Sequence, residues 1–186
     1  MSQTEPSIRI ENVVASVILG HNLDLPSISR ALPEDIEYNP ERFPGALFRL
    51  KRPKTAILIF SSGKMICVGA KSERLARLAV RKVMRRLRES GIVITSKAEI
   101  TIENIVASAS LGGKIDLEKA SFTLRRTMYE PEQFPGLIYR MDEPKVVILI
   151  FASGKLVIVG AREEGDVRGA VGKLKEQLEE RELIFY

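Results

Sequence analysis

The amino-acid sequence predicts an α+β protein made of two tandem copies of one unit. Each copy supplies strands to a roughly ten-stranded antiparallel sheet and closes on a long amphipathic helix. Three observations carry the prediction. Residues 38–71 (YNPERFPGALFRLKRPKTAILIFSSGKMICVGAK) align without a gap to residues 129–162 (YEPEQFPGLIYRMDEPKVVILIFASGKLVIVGAR), with about 19 of the 34 positions identical. Upstream, Ile10-Glu11-Asn12-Val13-Val14-Ala15-Ser16 recurs as Ile102-Glu103-Asn104-Ile105-Val106-Ala107-Ser108, the offset changing from 91 to 92. Within each copy, short apolar runs at hairpin spacing precede one long stretch of helical periodicity. Two copies are too few for a solenoid, so a pseudo-twofold pair is expected. Its parts are a tail over residues 1–7, a first repeat over 8–94 and a second over 95–186.

The elements follow in the same order in both copies. Residues 8–19 are β-branched and apolar, interrupted by Asn12, and read as a first strand. A short helix follows over 25–32 behind Asp24, and its counterpart spans 117–126 behind Asp116; an acidic residue stands at each N-cap. Strands are then expected over 48–50, 56–60 and 65–68, and over 139–141, 147–151 and 156–159, with Pro-Lys and Ser-Gly-Lys turns between them. The long helix covers 72–89, with Leu75, Leu78, Ala79, Val83 and Leu87 on one face and Gly91 as its stop. The second copy runs over 165–182, with Val167, Ala170, Val171, Leu174 and Leu178 inward.

Composition narrows the function classes. With 45% hydrophobic and 28% charged residues, the chain lacks the bias of collagen-like, coiled-coil or disordered sequences. Lys and Arg outnumber Asp and Glu by 29 to 24, a net charge of +5 that permits a polyanionic partner without demanding one. The single cysteine, Cys67, can form neither an intramolecular disulfide nor a zinc cage, and no signal-peptide pattern opens the chain. Apolar runs such as 146–151 fall far short of the roughly 20 residues of a membrane helix. A cytoplasmic protein is expected. Catalysis finds no footing: His21 and Cys67 each occur in one repeat only, and no Gly-rich phosphate loop or metal-spaced cluster is present. Neither enzyme activity, a metal nor a cofactor is expected.

The strands are apolar on both faces, whereas a half-buried antiparallel strand should alternate. Two helices cover one face, so the other is a binding surface, a dimer interface or a sandwich core. Phe60 and Phe151 precede Ser-Gly hairpins, and Phe43 and Phe134 open Phe-Pro-Gly turns. Each could fold back onto the core singly; as two repeated pairs they read as wedges. Asn12 and Asn104 are disfavoured inside strands yet recur. Each alone is a bulge or edge residue; as a repeated pair they offer amide donors. The minor groove of A·T pairs presents only acceptors, adenine N3 and thymine O2. Arg49, Arg140, Lys64 and Lys155 recur as cations suited to phosphates, or as solvated charges.

These doubled blocks, Glu-Asn-(Val/Ile)-Val-Ala-Ser, Phe-Pro-Gly, Pro-Lys, Ile-Leu-Ile-Phe and Ser-Gly-Lys, closely resemble the TATA-box-binding protein family in its archaeal form, over about residues 8–182. The resemblance implies a pseudo-twofold saddle, a curved ten-stranded antiparallel sheet under DNA with helices on the convex face. It implies a general transcription factor that binds the TATA-box element of double-stranded DNA in the minor groove and recruits transcription factor B and, indirectly, RNA polymerase. Sheet binding and kinking by apolar wedges are this family's known mode. By resemblance, Phe43 with Phe60, and Phe134 with Phe151, intercalate at the two ends of an A·T-rich site. Asn12 and Asn104 contact central bases, over an apolar floor of Val14, Val106, Leu58, Leu149, Ile66 and Val157. Arg49, Arg140, Lys64, Lys155, Ser62 and Ser153 hold phosphates.

Val68 and Val159 depart from the pattern, standing where the family usually has a small hydroxyl residue against the central bases. Both repeats make the change. Glu130 and Glu132 match the family's contact with transcription factor B, and Gln133 replaces a commonly apolar residue there. The first long helix is distinctly basic, a solvated face or a further contact for a regulator or DNA. A rival reading keeps the saddle as a protein-binding or non-specific nucleic-acid-binding module, and the open face also admits a homodimer off DNA. The short leading segment agrees with an archaeal, nucleoid-associated protein.

Overall fold

The computed structural model describes residues 4–186; the first three residues of the expected tail lie outside it. The first repeat contains β1 (Ser7–Ile18), α1 (Leu25–Ala31), β2 (Ile36–Tyr38), β3 (Ala46–Lys51), β4 (Lys54–Ile59), β5 (Lys64–Ala70) and α2 (Glu73–Glu89). The second contains β6 (Glu99–Ser110), β7 (Lys114–Ile115), α3 (Leu117–Thr123), β8 (Thr127–Met128), β9 (Leu137–Met141), β10 (Val146–Ile150), β11 (Lys155–Ala161), α4 (Glu164–Glu180) and β12 (Ile184–Phe185). Ten strands share hydrogen bonds in the order β2-β3-β4-β5-β1-β6-β11-β10-β9-β8, and β7 pairs with β12 apart from them. This is the α+β, ten-stranded antiparallel architecture the sequence predicts.

Contacts gather the chain into two compact units. One is Asn12–Glu103, and the other joins Met1–Glu11 to Asn104–Tyr186. Within Asn12–Glu103, the sheet face under α2 is closed by Val13, Ala15, Val17, Ile57, Ile59, Met65 and Cys67, all fully buried. Ala76, Ala79, Val83 and Leu87 of α2 are buried as well. In the other unit Ile105, Ala107, Ile148, Ile150 and Ile158 do the same opposite Val167, Ala170, Leu174 and Leu178 of α4. Small residues at the helix contact positions let α2 and α4 lie close to β-branched strands.

The caps are local sequence effects. Asp24 and Asp116 accept the backbone N–H of Ser27 (3.2 Å) and Lys119 (3.0 Å), and Ser72 accepts that of Leu75 (3.0 Å). α3 stops at Thr123, three residues before its expected end. The cause is downstream: Thr127 and Met128 pair with Tyr139 and Ile138, which requires extended chain, and Arg126 makes the corner at φ 55°. The two-residue and three-residue edge strands β8 and β2 escape periodicity analysis because so short a run carries no period. Among the described residues, no helix is long and apolar enough to cross a membrane.

Candidate nucleic-acid interface

Along β4, β5, β10 and β11 fully buried side chains alternate with half-exposed ones that are equally apolar. The half-exposed set is the face that carries no helix. Register aligns it into rows. Ser16, Ile66, Leu58 and Leu47 stand opposite one another across β1, β5, β4 and β3. In the other unit the same row is Ser108, Val157, Leu149 and Ile138. A second pair of rows is Val68, Ala56 and Arg49, matched by Val159, Val147 and Arg140. Six of the eight valine, leucine and isoleucine positions expected as the floor fall in these rows, three in each unit, Val68 and Val159 included; Val14 and Val106 are half-exposed between buried neighbours on β1 and β6. Leu47, Ile138, Ala56 and Val147 belong to the rows as well; the two-residue spacing of Leu47 to Arg49, and of Ile138 to Arg140, is the signal that puts each of those pairs on one face.

Asn12 and Asn104 sit beside a bulge that each repeat makes. The β1–β5 register shifts between Val13 and Ala15, and the β11–β6 register between Ile158 and Ala161. Gly69 and Gly160 fall within these bulges with φ of 95° and 92°, a backbone conformation that favours glycine. A bulge leaves a strand N–H without its ladder acceptor. Asn12 Oδ1 accepts that of Gly69 at 2.7 Å, and Asn104 Oδ1 that of Gly160 at 2.8 Å. Only the amide oxygen can accept from a backbone N–H, so the flip is fixed and Nδ2 remains as a pure donor. The strand asparagine is thus a bulge residue and a donor at once.

The aromatic pairs are also built twice. Phe43 and Phe60 meet edge to face with ring centres 5.9 Å apart and planes at 66°; Phe134 and Phe151 do so at 5.9 Å and 70°. Phe43 is 44% exposed and Phe134 37%. Turns hold them. Phe43 N–H donates to Asn39 O (3.0 Å) and Phe134 N–H to Glu130 O (2.9 Å), while Phe60 and Phe151 donate to Lys64 O (2.9 Å) and Lys155 O (3.0 Å). The glycine of each Phe-Pro-Gly turn has no room for a side chain: a Cβ on Gly45 would lie 2.9 Å from the Phe43 ring, and one on Gly136 2.7 Å from the Phe134 ring. Half-exposed rings braced against glycine expose hydrocarbon that a core aromatic would hide.

The cations and hydroxyls line the same features. Lys64 and Lys155 are exposed at the β4–β5 and β10–β11 hairpins, with Ser62 and Ser153 Oγ each 3.4 Å from their backbone N–H. Arg49 and Arg140 are exposed; Arg49 has a loose ion pair with Glu37 at 3.9 Å. In one unit a depression of about 660 Å³ is lined by Arg9, Ser108, Phe151, Ser153, Lys155 and Val157, adding Arg9 to the set found by sequence. Ser16 Oγ donates to Glu103 Oε1 at 2.6 Å, and Ser108 Oγ to Glu11 Oε1 at 2.8 Å. Glu130, Glu132 and Gln133 are exposed on the turn that carries Phe134. Cys67 faces the helix side of β5, and burial pushes its thiol up to about 11. Among the described residues, no group of three or more His, Cys, Asp or Glu could hold a metal ion.

A duplicated antiparallel sheet with one helix-covered face, one open apolar face and paired, partly exposed rings defines a class of sheet-surface binding proteins. Comparison with known proteins resolves the class. The family model described as "Transcription factor TFIID (or TATA-binding protein, TBP)" matches residues 7–90 and 99–181. A TATA-box-binding protein of Pyrobaculum calidifontis is 52% identical over all of this chain and 92% of its own length. One from Aeropyrum pernix is 51% identical over 97% of this chain and 89% of its own. The solved structure of Methanococcus jannaschii TBP superposes with a TM-score of 0.84 at 47% identity, covering 94% of this chain and 99% of that one. The chain belongs to the TATA-box-binding protein family.

Proposed function

We propose that this chain is a general transcription factor that binds the TATA-box element of promoter DNA in the minor groove, bends it, and recruits transcription factor B and RNA polymerase. One observation carries the reading. In both repeats the asparagine oxygen accepts the N–H of the bulge glycine, which fixes the amide and leaves Nδ2 of Asn12 and Asn104 as the free donor. A donor at this position suits the minor groove of A·T pairs, which offers acceptors alone, and opposes the N2 amine of guanine.

The remaining residues take roles consistent with that surface. Phe43 with Phe60, and Phe134 with Phe151, enter base steps at the two ends, which is cheapest at flexible TA steps. Val14, Leu58, Ile66 and Val68, with Val106, Leu149, Val157 and Val159, cover sugars and base edges as an apolar floor. Val68 and Val159 supply apolar contact only, so central hydrogen bonding falls to the asparagines. Arg49, Arg140, Lys64, Lys155, Ser62 and Ser153 hold phosphates without reading sequence. Glu130, Glu132 and Gln133 receive transcription factor B. Each domain in this scheme is one repeat, residues 8–94 and 95–186, acting on chromosomal DNA in the cytoplasm.

The test uses base analogues. Inosine lacks the 2-amino group, so an I·C duplex shows the A·T pattern in the minor groove and the G·C pattern in the major groove. At one fixed salt concentration the account expects a TA-rich duplex and its I·C twin to bind alike and the G·C twin to bind at least about tenfold more weakly. Binding that fails on I·C and G·C alike refutes minor-groove recognition. Equal weak binding to all three leaves a protein-binding saddle or a homodimer as the use of the open face.

A further inference from the structure

Duplication gives every position of the open face a counterpart, so a charge carried by one copy alone stands out. Arg9 is such a charge: its counterpart in the second copy is Thr101, which is neutral. Arg9 belongs to the unit that contains Asn104–Tyr186, and it lines the depression of about 660 Å³ beside Phe151 together with Lys155, Ser110 and Ser153. In register, Ser110 stands opposite Lys155; at the same place in the first repeat Ile18, 54% exposed, stands opposite Lys64. Phe151 thus shares its depression with two cations. The equivalent positions around Phe60 supply one cation, Lys64, and an isoleucine in place of a hydroxyl.

Local contacts hold Arg9 in place without exhausting it. Arg9 Nε lies 3.7 Å from Glu11 Oε1, and the same oxygen accepts the hydroxyl of Ser108 at 2.8 Å. Glu11 thereby ties the guanidinium to the row of side chains on the face that carries no helix. Ahead of β1, Lys175 Nζ donates to Thr4 O at 3.1 Å and fixes the chain entering the strand. The Arg9 side chain is nevertheless 81% exposed, and an ion pair so open and so long contributes little to folding. A guanidinium has five N–H donors and no acceptor, so with Nε toward Glu11 the Nη fork is the part that takes a second anion. The neighbouring ring selects that anion. When Phe151 enters a base step, the sugar-phosphate backbone comes against the same depression, and a phosphate relieves the repulsion of the two cations that line it.

We infer that Arg9 is a further phosphate-binding residue, positioned by Glu11 and present in one half of the molecule only. The inference rests on the open face being a DNA surface, and it gives the end carrying Phe134 and Phe151 one more backbone contact than the end carrying Phe43 and Phe60. The measurement is the salt dependence of binding by the full chain to a TA-rich duplex and to its G·C twin. Each phosphate neutralised adds about 0.9 to the slope of log K against log salt. Arg9→Thr, which installs the counterpart's own residue, should lower the slope by about 1 on both duplexes and leave the melting temperature unchanged. Arg9→Lys should keep the slope, because the contact needs the charge, and lose only part of the affinity. Thr101→Arg builds the same arrangement beside Glu103, whose carboxylate accepts Ser16 Oγ at 2.6 Å, and should raise the slope by about 1. Arg168→Thr, at an equally exposed arginine on α4, should leave it unchanged.

A slope unmoved by Arg9→Thr overturns the proposal, and so does an equal fall with Arg168→Thr, which would reduce the effect to general attraction. A fall that comes with a lower melting temperature and is not restored by lysine makes Arg9 a folding residue instead. A loss confined to the TA-rich duplex replaces the phosphate by a base edge. No rise with Thr101→Arg overturns the positioning role of the carboxylate. Failure of the minor-groove reading is a separate outcome: the unsubstituted chain would then bind both duplexes alike, while the slopes still report whether Arg9 meets a phosphate.

Discussion

Replacing both asparagines by aspartate, Asn12→Asp/Asn104→Asp, separates the two ends of the amide. Aspartate keeps the oxygen that accepts from Gly69 and Gly160 at 2.7 and 2.8 Å, and a charge-assisted bond there is at least as strong as the neutral one. Desolvating a half-buried carboxylate offsets the gain, so folding stability should stay within about 1 kcal/mol. For a chain of this size that is a melting shift of about 2–4 °C. At the DNA-facing end each substitution exchanges donors for an acceptor. Losing about 1–3 kcal/mol of readout per half-site predicts about 30-fold to 10⁴-fold weaker binding to a TA-rich duplex. The loss on a G·C twin should be smaller, because guanine N2 can donate to a carboxylate. Fluorescence anisotropy at constant salt and a thermal melt measure the two effects. Binding within about threefold of the unsubstituted protein, at unchanged stability, would refute the assignment of Nδ2 as the reading group.

The other predictions use different parts of the molecule. Phe151→Ala should cost only about 1 kcal/mol of stability, since the ring is half-exposed and in an edge-to-face pair, yet weaken TA-rich binding by about 5- to 150-fold; a denaturant titration beside a binding curve distinguishes a wedge from a core ring. Gly154→Ala should destabilise by about 3 kcal/mol or more, because φ is 87° and the new Cβ would lie 2.0 Å from Gly113 O. Gly112→Ala, at φ 77° with only ordinary contact to Thr4 at 3.9 Å, should cost about 1 kcal/mol in the same melt. Cys67, with its thiol raised to about 11, should resist alkylation at neutral pH until the chain unfolds. The unfolded thiol ionises first, so the stability Cys67 contributes is full below its ordinary value near 9 and is lost as pH rises through about 11.

Much of this was legible in the sequence because duplication makes weak signals repeat. Alternation in 56–60 and 147–151 is hidden by apolar residues on both faces, and that very excess exposed the open face. Asp24 and Asp116 announced their helices by cap chemistry, and the rings at 43, 60, 134 and 151 were conspicuous because turns rarely hold aromatics. The bond that Asn12 and Asn104 accept was not legible, since it comes from a bulge glycine 57 and 56 residues away in the chain. Nor was the corner at Arg126, imposed by pairing with β9 and carried by no local breaker. The grouping of Met1–Glu11 with the second repeat follows from where tertiary contacts fall, which no local pattern records.

The central claim is that the open face recognises A·T-rich DNA by deforming it. A duplex with a central TA-rich element and a dye at each end, titrated with the full chain at one salt concentration, tests it most directly. The account predicts saturable binding with a shortened end-to-end distance on that duplex, and neither on a G·C-substituted twin. Tight binding to the TA-rich duplex with its ends no closer would contradict the wedge mechanism, and equal weak binding to both would contradict recognition itself.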